Sequence, residues 1–365
     1  MIRLLIVDDS ALMRRVMGDI FSDRDAFELA FARTGEEALA ALHAFKPNVI
    51  TLDVNMPGMG GLACLDRIMV ERPCPVVMVS ALTEDGATTT LEALELGAVD
   101  FVPKPVGPVT LKIDELAELL IEKVRQAATA RVRGSFRLAE RVRLRTGGPP
   151  AVRPVRAPAK PRREPRARKP GQAPDRIVLV GCSTGGPQAL DVLLEGLPAS
   201  FPWPLVVAQH MPVAFTGALA RRLDAACALS VREVAAPEQI ERGVVYIARG
   251  DADLLLTVRA GEAVALPAPA SAEYRWHPSV DRLVHSAIDR LGAERLVGVL
   301  MTGMGSDGAD SMARLHAGGG VTVAEAETTA VVWGMPGELV RAGGATQVAP
   351  LDRIAAELMA LAEAG

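Results

Sequence analysis

Aromatic residues and long apolar runs are scarce in this sequence, and each shortage excludes a class of protein. Aromatic residues make up 4% of the chain, so its cores must be built mainly from Val, Leu, Ile, Ala and Met. No apolar run reaches the ~18 residues that a membrane span needs. The first apolar segment continues directly into acidic Asp8 and Asp9, unlike a signal peptide. We therefore expect a cytoplasmic protein without membrane insertion.

The cysteines show no pairing or metal-binding pattern. None belongs to a C-x-x-C motif or to a Cys/His group with the spacing of zinc ligands. We interpret them as small buried hydrophobic residues in a reducing compartment. The four positions are Cys64, Cys74, Cys182 and Cys227.

Length and charge divide the chain into parts. A chain of 365 residues is long for one core, and about 150 residues per domain suggests two domains. Residues 131–170 carry 14 Lys and Arg against two acids, a local charge of +12 that leaves −16 for the rest of the chain. This proline-rich stretch cannot bury a core. We predict a domain over residues 1–128, a basic Pro-rich linker over 129–174 and a second domain over 175–365.

The basic linker has a second interpretation, since basic segments also bind nucleic acid or acidic membrane surfaces. Phe136 is the only aromatic residue among its basic residues, and no nucleic-acid-binding signature accompanies them. The sequence favours a solvated linker, and we expect no nucleic-acid partner.

The first block alternates short apolar runs with amphipathic segments, which is typical of successive βα units. The runs are apolar throughout, as in a parallel sheet covered on both faces. The predicted strands are 4–7, 27–32, 49–52, 76–80 and 100–102, and the predicted helices are 11–21, 35–44, 62–71, 87–96 and 111–128. The sequence therefore predicts a five-stranded parallel α/β domain.

Polar residues follow the carboxyl ends of these strands, where parallel sheets place their chemistry. They are Asp8, Asp9, Asp53, Ser80 and Lys104. Clustered carboxylates repel one another and normally need a hard cation such as Mg²⁺. A carboxylate beside that ion is suited to phosphoryl transfer, and ammonium and hydroxyl donors suit the resulting acyl phosphate. One acid alone would more often cap a helix or face solvent, but this set favours a site.

Four segments of the first block, 7–10, 52–57, 79–81 and 101–105, closely resemble the two-component receiver domain. The resemblance implies a flavodoxin-like fold in which Asp53 is the phospho-acceptor. It further implies that Asp8, Asp9, Asp53 and the backbone of Asn55 hold Mg²⁺. Ser80 and Lys104 would contact the phosphoryl group, and Phe101 would be the switch aromatic.

The second block begins with an apolar strand at 177–181 and predicts another doubly wound α/β domain. Further strands are predicted at 205–208, 244–248, 254–258 and 296–301, with helices at 216–226 and 280–291. Polar turns follow three of the strands. One crevice at the carboxyl ends could gather Ser183, His210 and Asp307 from those turns.

These three residue types suggest nucleophilic catalysis. A serine hydroxyl is a poor nucleophile until an imidazole takes its proton, and a carboxylate orients that imidazole. Glycines around Met304 leave backbone N–H groups open to a developing oxyanion. Taken singly, Ser183 is better explained as a helix cap and His210 as a structural histidine, and Asp307 is equally well explained as a capping acid at the start of a helix over 308–317. A binding module with a relic active site is the non-enzymatic alternative, and the intact set counts against it.

Two other kinds of site share the first turn. Gly181-x-Ser183-x-x-Gly186 imitates the dinucleotide fingerprint, but its central serine keeps a side chain where the pyrophosphate must approach. Gly181-x-Ser183-x-Gly185 fits the nucleophile elbow of α/β-hydrolases, which would make His316 or an earlier histidine the base. The elbow here follows the first strand of its domain, which argues against that fold.

The motifs of the second block resemble, in their order, the catalytic domain of CheB, the chemotaxis protein-glutamate methylesterase family. The matching segments are 181–187, 208–212, 245–248, 278–281, 301–308 and 332–336, and 97–104 resembles the receiver of the same family. Two departures are Trp276-His277, where an arginine is commoner before the proline, and Arg249, where a proline is usual.

The resemblance implies hydrolysis of glutamate γ-methyl esters on methyl-accepting chemotaxis receptors, and deamidation of specific glutamines. Ser183 would be the nucleophile, His210 the general base and then acid, and Asp307 the orienting carboxylate. Met304 would give an oxyanion-hole N–H, and Thr184 would support the site. A chemotaxis histidine kinase would phosphorylate the receiver, which would then uncover the hydrolase crevice. Mg²⁺ would serve the receiver, and no cofactor is expected for the hydrolase.

Overall fold

The computed structural model describes residues 1–22, 26–80, 83–104, 113–130 and 174–364. The chain divides into two compact units, Met1–Val155 and Arg156–Gly365. The predicted linker over residues 129–174 falls almost entirely outside the described residues, so its role stays a prediction. Within the described ranges, none of the helices combines the length and apolar content that a membrane crossing requires.

The first unit contains the predicted five-stranded parallel sheet. Its strands are β1 (Ile2–Val7), β2 (Phe27–Ala32), β3 (Val49–Asp53), β4 (Val76–Ser80) and β5 (Asp100–Pro103), and its helices are α1 (Ala11–Ser22), α2 (Gly35–Ala44), α3 (Gly60–Glu71), α4 (Glu84–Leu96) and α5 (Ile113–Thr129). The strand order is β2-β1-β3-β4-β5, with every pairing parallel. All residues of β3 and β4 are buried, which explains their continuous apolar runs. The predicted fold is confirmed.

The second unit is a larger parallel sheet with a small antiparallel one. Its strands are β6 (Ile177–Cys182), β7 (Leu205–Gln209), β8 (Ser230–Val234), β9 (Glu238–Gln239), β10 (Val244–Ala248), β11 (Ala252–Arg259), β12 (Glu262–Pro269), β13 (Leu296–Leu300), β14 (Val321–Glu325) and β15 (Gln347–Ala349). Its helices are α6 (Gly186–Glu195), α7 (Val213–Ala226), α8 (Val280–Leu291), α9 (Ala309–Ala317), α10 (Met335–Arg341) and α11 (Leu351–Ala364), with a 3₁₀ turn at Ala293–Arg295.

The seven-stranded sheet has the order β15-β14-β13-β6-β7-β10-β8, and all its pairings are parallel. The predicted strand at 254–258 does not belong to it. That segment lies within β11, which pairs antiparallel with β12 in a separate three-stranded sheet.

The strand order of the larger sheet reverses between β6 and β13. From β6 the chain proceeds to β7 on one side, and it later returns to place β13 on the other side. Ligand sites in open parallel sheets form at such a reversal, beyond the carboxyl ends of the strands. The turns after β6, β7 and β13 therefore meet at one edge.

Candidate active site and phospho-acceptor site

His210 and Asp307 form the central contact of the second unit. His210 follows β7 and Asp307 lies in the turn after β13. His210 Nε2 lies 2.7 Å from Asp307 Oδ2, and the two side chains are 6% and 7% exposed. Since the contact is shielded from water, this carboxylate restrains Nε2 of the imidazole more strongly than an exposed one would.

Asp307 is held by the N-terminus of helix α8. Its Oδ1 accepts hydrogen bonds from Ser279 Oγ at 3.1 Å and Asp281 N at 2.9 Å, and its Oδ2 accepts one from Val280 N at 2.8 Å. Asp307 thus caps the N-terminus of helix α8. The sequence alone suggests that it could cap the helix that follows it in the chain, which is α9. Capping and orienting His210 are compatible, because each uses different lone pairs.

The charge of Asp307 is favoured by these contacts. Burial raises the pKa of the Asp307 carboxyl, but the hydrogen bond and charge of His210 and the N–H groups of Asp281 and Val280 outweigh burial, so the pKa lies below its usual value. The neighbouring Asp281 carboxyl has a raised pKa, because it is buried and close to Asp307. Of these two acids, Asp307 is therefore the one whose anionic form the surroundings favour more strongly.

Ser183 lies directly after β6, against the turn that follows β13. The N–H of Ser183 donates to Thr302 O at 3.0 Å. The turn after β7 is bonded to the end of β6, because His210 N donates to Cys182 O at 3.1 Å. Gly303 packs so closely that a Cβ there would lie 2.9 Å from Ser183 Cβ and 2.3 Å from Met335 Sδ. Glycine at 303 is therefore required for the two turns to meet.

The serine hydroxyl and the histidine are not hydrogen-bonded in this structure. Within the described parts of the chain, the buried Nδ1 of His210 has no hydrogen-bond partner. Nucleophile–base hydrogen bonds are often long before substrate binds. Because Nε2 faces Asp307, Nδ1 is the ring nitrogen that remains to take a proton.

Met304 occupies the turn beside Ser183 and is 2% exposed. Its N–H donates to no acceptor in the described part of the protein. The turn is fixed on its other side, where Thr302 N donates to Glu325 Oε2 at 2.7 Å and Thr302 Oγ1 donates to Thr184 O at 2.9 Å. A preorganised backbone donor of this kind is what an oxyanion requires.

Two features of this region were missed by sequence reasoning. The indole of Trp276 stacks on the imidazole of His210, with ring centroids 5.6 Å apart and planes 14° apart. The fully buried carboxylate of Asp253 binds His277 Nδ1 at 2.9 Å, Ser279 N at 2.8 Å and Arg282 Nη1 at 2.6 Å. The departure at Trp276-His277 was the one available signal.

In the first unit, Asp8, Asp9 and Asp53 converge at the carboxyl ends of β1 and β3. Each offers a carboxylate oxygen, and these oxygens lie within 4.8 Å of one another. Lys104 Nζ lies 2.7 Å from Asp53 Oδ2 and 3.0 Å from Asp8 Oδ2. Asn55 lies alongside, with its N–H donating to Asp53 Oδ1 at 3.1 Å. Oxygen ligands so grouped fit a hard cation such as Mg²⁺.

The remaining residues of the predicted receiver site lie on the strands β4 and β5 of the same sheet. Ser80 ends β4, with Oγ donating to Gly86 O at 3.4 Å. Phe101 in β5 is 4% exposed, and Lys123 Nζ lies 5.5 Å from its ring centroid. Burial raises the pKa of the Asp53 carboxyl, while the ammonium of Lys104 partly opposes that rise. Lys104 is thus the counter-charge of the acidic cluster.

Comparison with known proteins decides the family. Residues 178–358 match the CheB methylesterase family, and residues 4–114 match the response regulator receiver domain. A relative from Rhodopseudomonas palustris (strain BisB18), named protein-glutamate methylesterase/protein-glutamine glutaminase 2, is 54% identical over 359 residues, 98% of each chain. The chain belongs to the CheB methylesterase family.

Further members of the CheB family agree with this assignment. A relative from Rhodospirillum rubrum, named protein-glutamate methylesterase/protein-glutamine glutaminase 3, is 51% identical over 360 residues, covering 99% of this chain and 96% of the relative. The crystal structure of the Thermotoga maritima CheB methylesterase catalytic domain is 37% identical with a TM-score of 0.50, covering 52% of this chain and 100% of that one. The predicted order of a receiver followed by a CheB-type hydrolase is confirmed.

Proposed function

We propose that this chain hydrolyses glutamate γ-methyl esters on methyl-accepting chemotaxis receptors, and deamidates specific glutamines there, under control of phosphorylation at Asp53. The 2.7 Å contact of His210 with a carboxylate, at the sheet edge that also carries the Ser183 turn, supports the hydrolase part of the proposal. Relatives over the full length are named for both activities.

The chemistry is acyl transfer through Ser183. Its Oγ attacks the ester carbonyl while His210 takes the hydroxyl proton on Nδ1, and Asp307 stabilises the imidazolium through Nε2. The tetrahedral oxyanion accepts the N–H of Met304, and Thr184 supports this turn. Collapse expels methoxide, which leaves as methanol with the proton from His210. Water then cleaves the acyl-enzyme and leaves a glutamate side chain.

A glutamine substrate passes through an equivalent tetrahedral intermediate and then the same acyl-enzyme, because amide and ester share the carbonyl that Ser183 attacks. The leaving group is then ammonia, and His210 again supplies its proton. No cofactor is assigned to the hydrolase. The Ser183, His210 and Asp307 side chains supply the nucleophile, the base and the orienting charge themselves.

The receiver proposal assigns Asp53 as the acceptor of a phosphoryl group from a chemotaxis histidine kinase. Asp8, Asp9, Asp53 and the backbone of Asn55 would hold Mg²⁺, which neutralises charge on the phosphoryl oxygens. Lys104 already contacts Asp53 and would contact the phosphoryl group together with Ser80. Phe101 would report the new charge to the surface of the domain. We place the protein in the cytoplasm, where kinase and receptor arrays are accessible.

Methanol release from methylated receptor, measured with and without a small-molecule phosphodonor and Mg²⁺, tests both parts. Ser183→Ala is expected to lower kcat by ~10³-fold or more while the protein remains folded. Retention of the wild-type rate would remove Ser183 from the mechanism. An inactive wild-type protein that still binds receptor would favour a binding module instead.

A further inference from the structure

Trp276 is the residue in closest face-to-face contact with the candidate base. It lies in the segment between β12 and α8, and its indole is nearly parallel to the His210 ring at 5.6 Å. The indole also reaches the turn after β13, since a Cβ built on Gly305 would lie 3.5 Å from Trp276 Nε1. Trp276 therefore stacks on the imidazole and lies beside the turn that carries Met304.

The hydrogen bond to Asp307 does not fix the imidazole by itself. It restrains one ring atom, Nε2, and leaves the ring free to tilt about the line joining the two residues. Nδ1 is buried without a partner among the described residues, so no second hydrogen bond opposes that tilt. The parallel indole of Trp276 supplies the missing restraint, because tilting the imidazole would break the stacking contact.

The segment that carries Trp276 is itself anchored. The adjacent His277 binds the buried Asp253 at 2.9 Å, and Ser279 N binds the same carboxylate at 2.8 Å. Arg275 lies with its guanidinium carbon 4.9 Å from the indole centroid. Trp276 is therefore held against His210 by contacts on both sides of it in the chain.

We infer that Trp276 is a positioning residue of the hydrolase, which keeps His210 Nδ1 aimed at the Ser183 hydroxyl and stabilises the imidazolium formed during attack. The inference rests on the proposed esterase reaction. A cation over an indole face gains electrostatic attraction, which neutral imidazole lacks, so the contact strengthens as the proton is transferred. Among the described residues, the charged groups recorded in contact with this ring system are Asp307 on the imidazole and Arg275 on the indole.

The kinetic test compares Trp276→Leu, Trp276→Phe and wild type in methanol release from methylated receptor. Trp276→Leu is expected to lower kcat about 3- to 30-fold with KM within about twofold, the range of a cation–π contact. The acidic limb of the kcat/KM profile should move to lower pH, and Trp276→Phe should restore most of the rate. A merely structural tryptophan would not shift that limb.

Trp203→Phe is the matched control. Trp203 also carries an arginine near its ring, with Arg176 at 5.8 Å, but it precedes β7 at the amino end of the strand, opposite His210. This variant should keep the wild-type kcat and pH profile. A wild-type profile in Trp276→Leu as well would overturn the inference.

A second measurement does not depend on activity. Protonated imidazole quenches indole fluorescence more than neutral imidazole, so emission of the intact protein should fall when acid protonates the ring that Trp276 covers. His210→Gln and Trp276→Phe should each abolish that fall, and an unchanged fall in either would refute the coupling. If Trp276→Leu does not fold, this measurement and Trp276→Phe decide. Full activity in Ser183→Ala would instead defeat the proposed function and leave this contact measurable.

Discussion

Replacing Asp307 with asparagine tests the orientation of the base. The substitution preserves size but removes one acceptor and the charge. Oδ1 accepts from Ser279 and Asp281, and Oδ2 accepts from Val280 and His210. If the asparagine oxygen accepts from Ser279 and Asp281, its NH₂ group faces two other donors, the Val280 N–H and the His210 Nε2–H. The simplest rearrangement moves the imidazole proton to Nδ1, and the ring then cannot take the serine proton.

The expected magnitude follows from that tautomer change. A serine hydrolase with its base in the wrong tautomer loses on the order of 10⁴-fold in kcat. Stability should fall as well, because Val280 N–H is buried at 2.8 Å from the former carboxylate and would face an NH₂ group. Losing a charge-assisted hydrogen bond and leaving a buried donor unpaired costs about 2–4 kcal/mol.

Methanol release measures the loss in kcat of Asp307→Asn, and urea unfolding measures its loss of stability. Asp289→Asn is the matched control, since Asp289 lies on α8, the helix that Asp307 caps, is 57% exposed and pairs with Arg314 at 2.9 Å. It should leave kcat unchanged and cost about 1 kcal/mol or less. An Asp307→Asn enzyme within tenfold of wild type would show that His210 does not depend on this carboxylate for its tautomer.

Three further outcomes are expected. Asp253→Asn should lower the unfolding free energy by about 2–4 kcal/mol in urea titration, because the buried charge that binds Arg282 at 2.6 Å is lost; a change under 1 kcal/mol would contradict this. The pKa values of Asp253 and Asp307 are lowered, so their stabilisation is full above the unfolded value of about 3.9 and is lost as pH falls through the folded values. Unfolding monitored at decreasing pH should therefore show stability falling below about pH 4, with a shallower fall in Asp253→Asn. Phosphodonor and Mg²⁺ should raise methanol release in wild type but not in Asp53→Asn, and equal stimulation of both would exclude Asp53 as acceptor.

Most central strands of the parallel sheets were predictable, because they are buried on both faces and form continuous apolar runs. The central strand β14 was not predicted, although four of its five residues are buried. The edge strand Ser230–Val234 was not predicted, since it alternates exposed and buried residues and contains Arg232 and Glu233. The start of the helix predicted at 87–96 was also misplaced. It begins at Glu84, because the Thr83 side chain accepts Gly86 N–H and caps it.

The positions of Ser183, His210 and Asp307 were predictable, because polar turns after parallel strands share one edge of a sheet. Their hydrogen bonds were not. The partners of Asp307 lie 97 residues away in His210 and 27 away in Val280, and no local pattern specifies such contacts. The same holds for Trp276 on His210, where the choice of ring face depends on how the loop before α8 packs.

The position of the His210 ring therefore depends on how the start of helix α8 is anchored. Asp307 binds the first N–H groups of that helix and also Nε2 of the imidazole, while Trp276, a few residues before the helix, covers the imidazole face. Asp253 holds the intervening segment through Ser279 N. Any change that displaces the start of α8 therefore acts on His210 from two directions, through the carboxylate that fixes its nitrogen and through the indole that fixes its plane. Activity should for this reason be lost at smaller displacements than those needed to unfold the sheet.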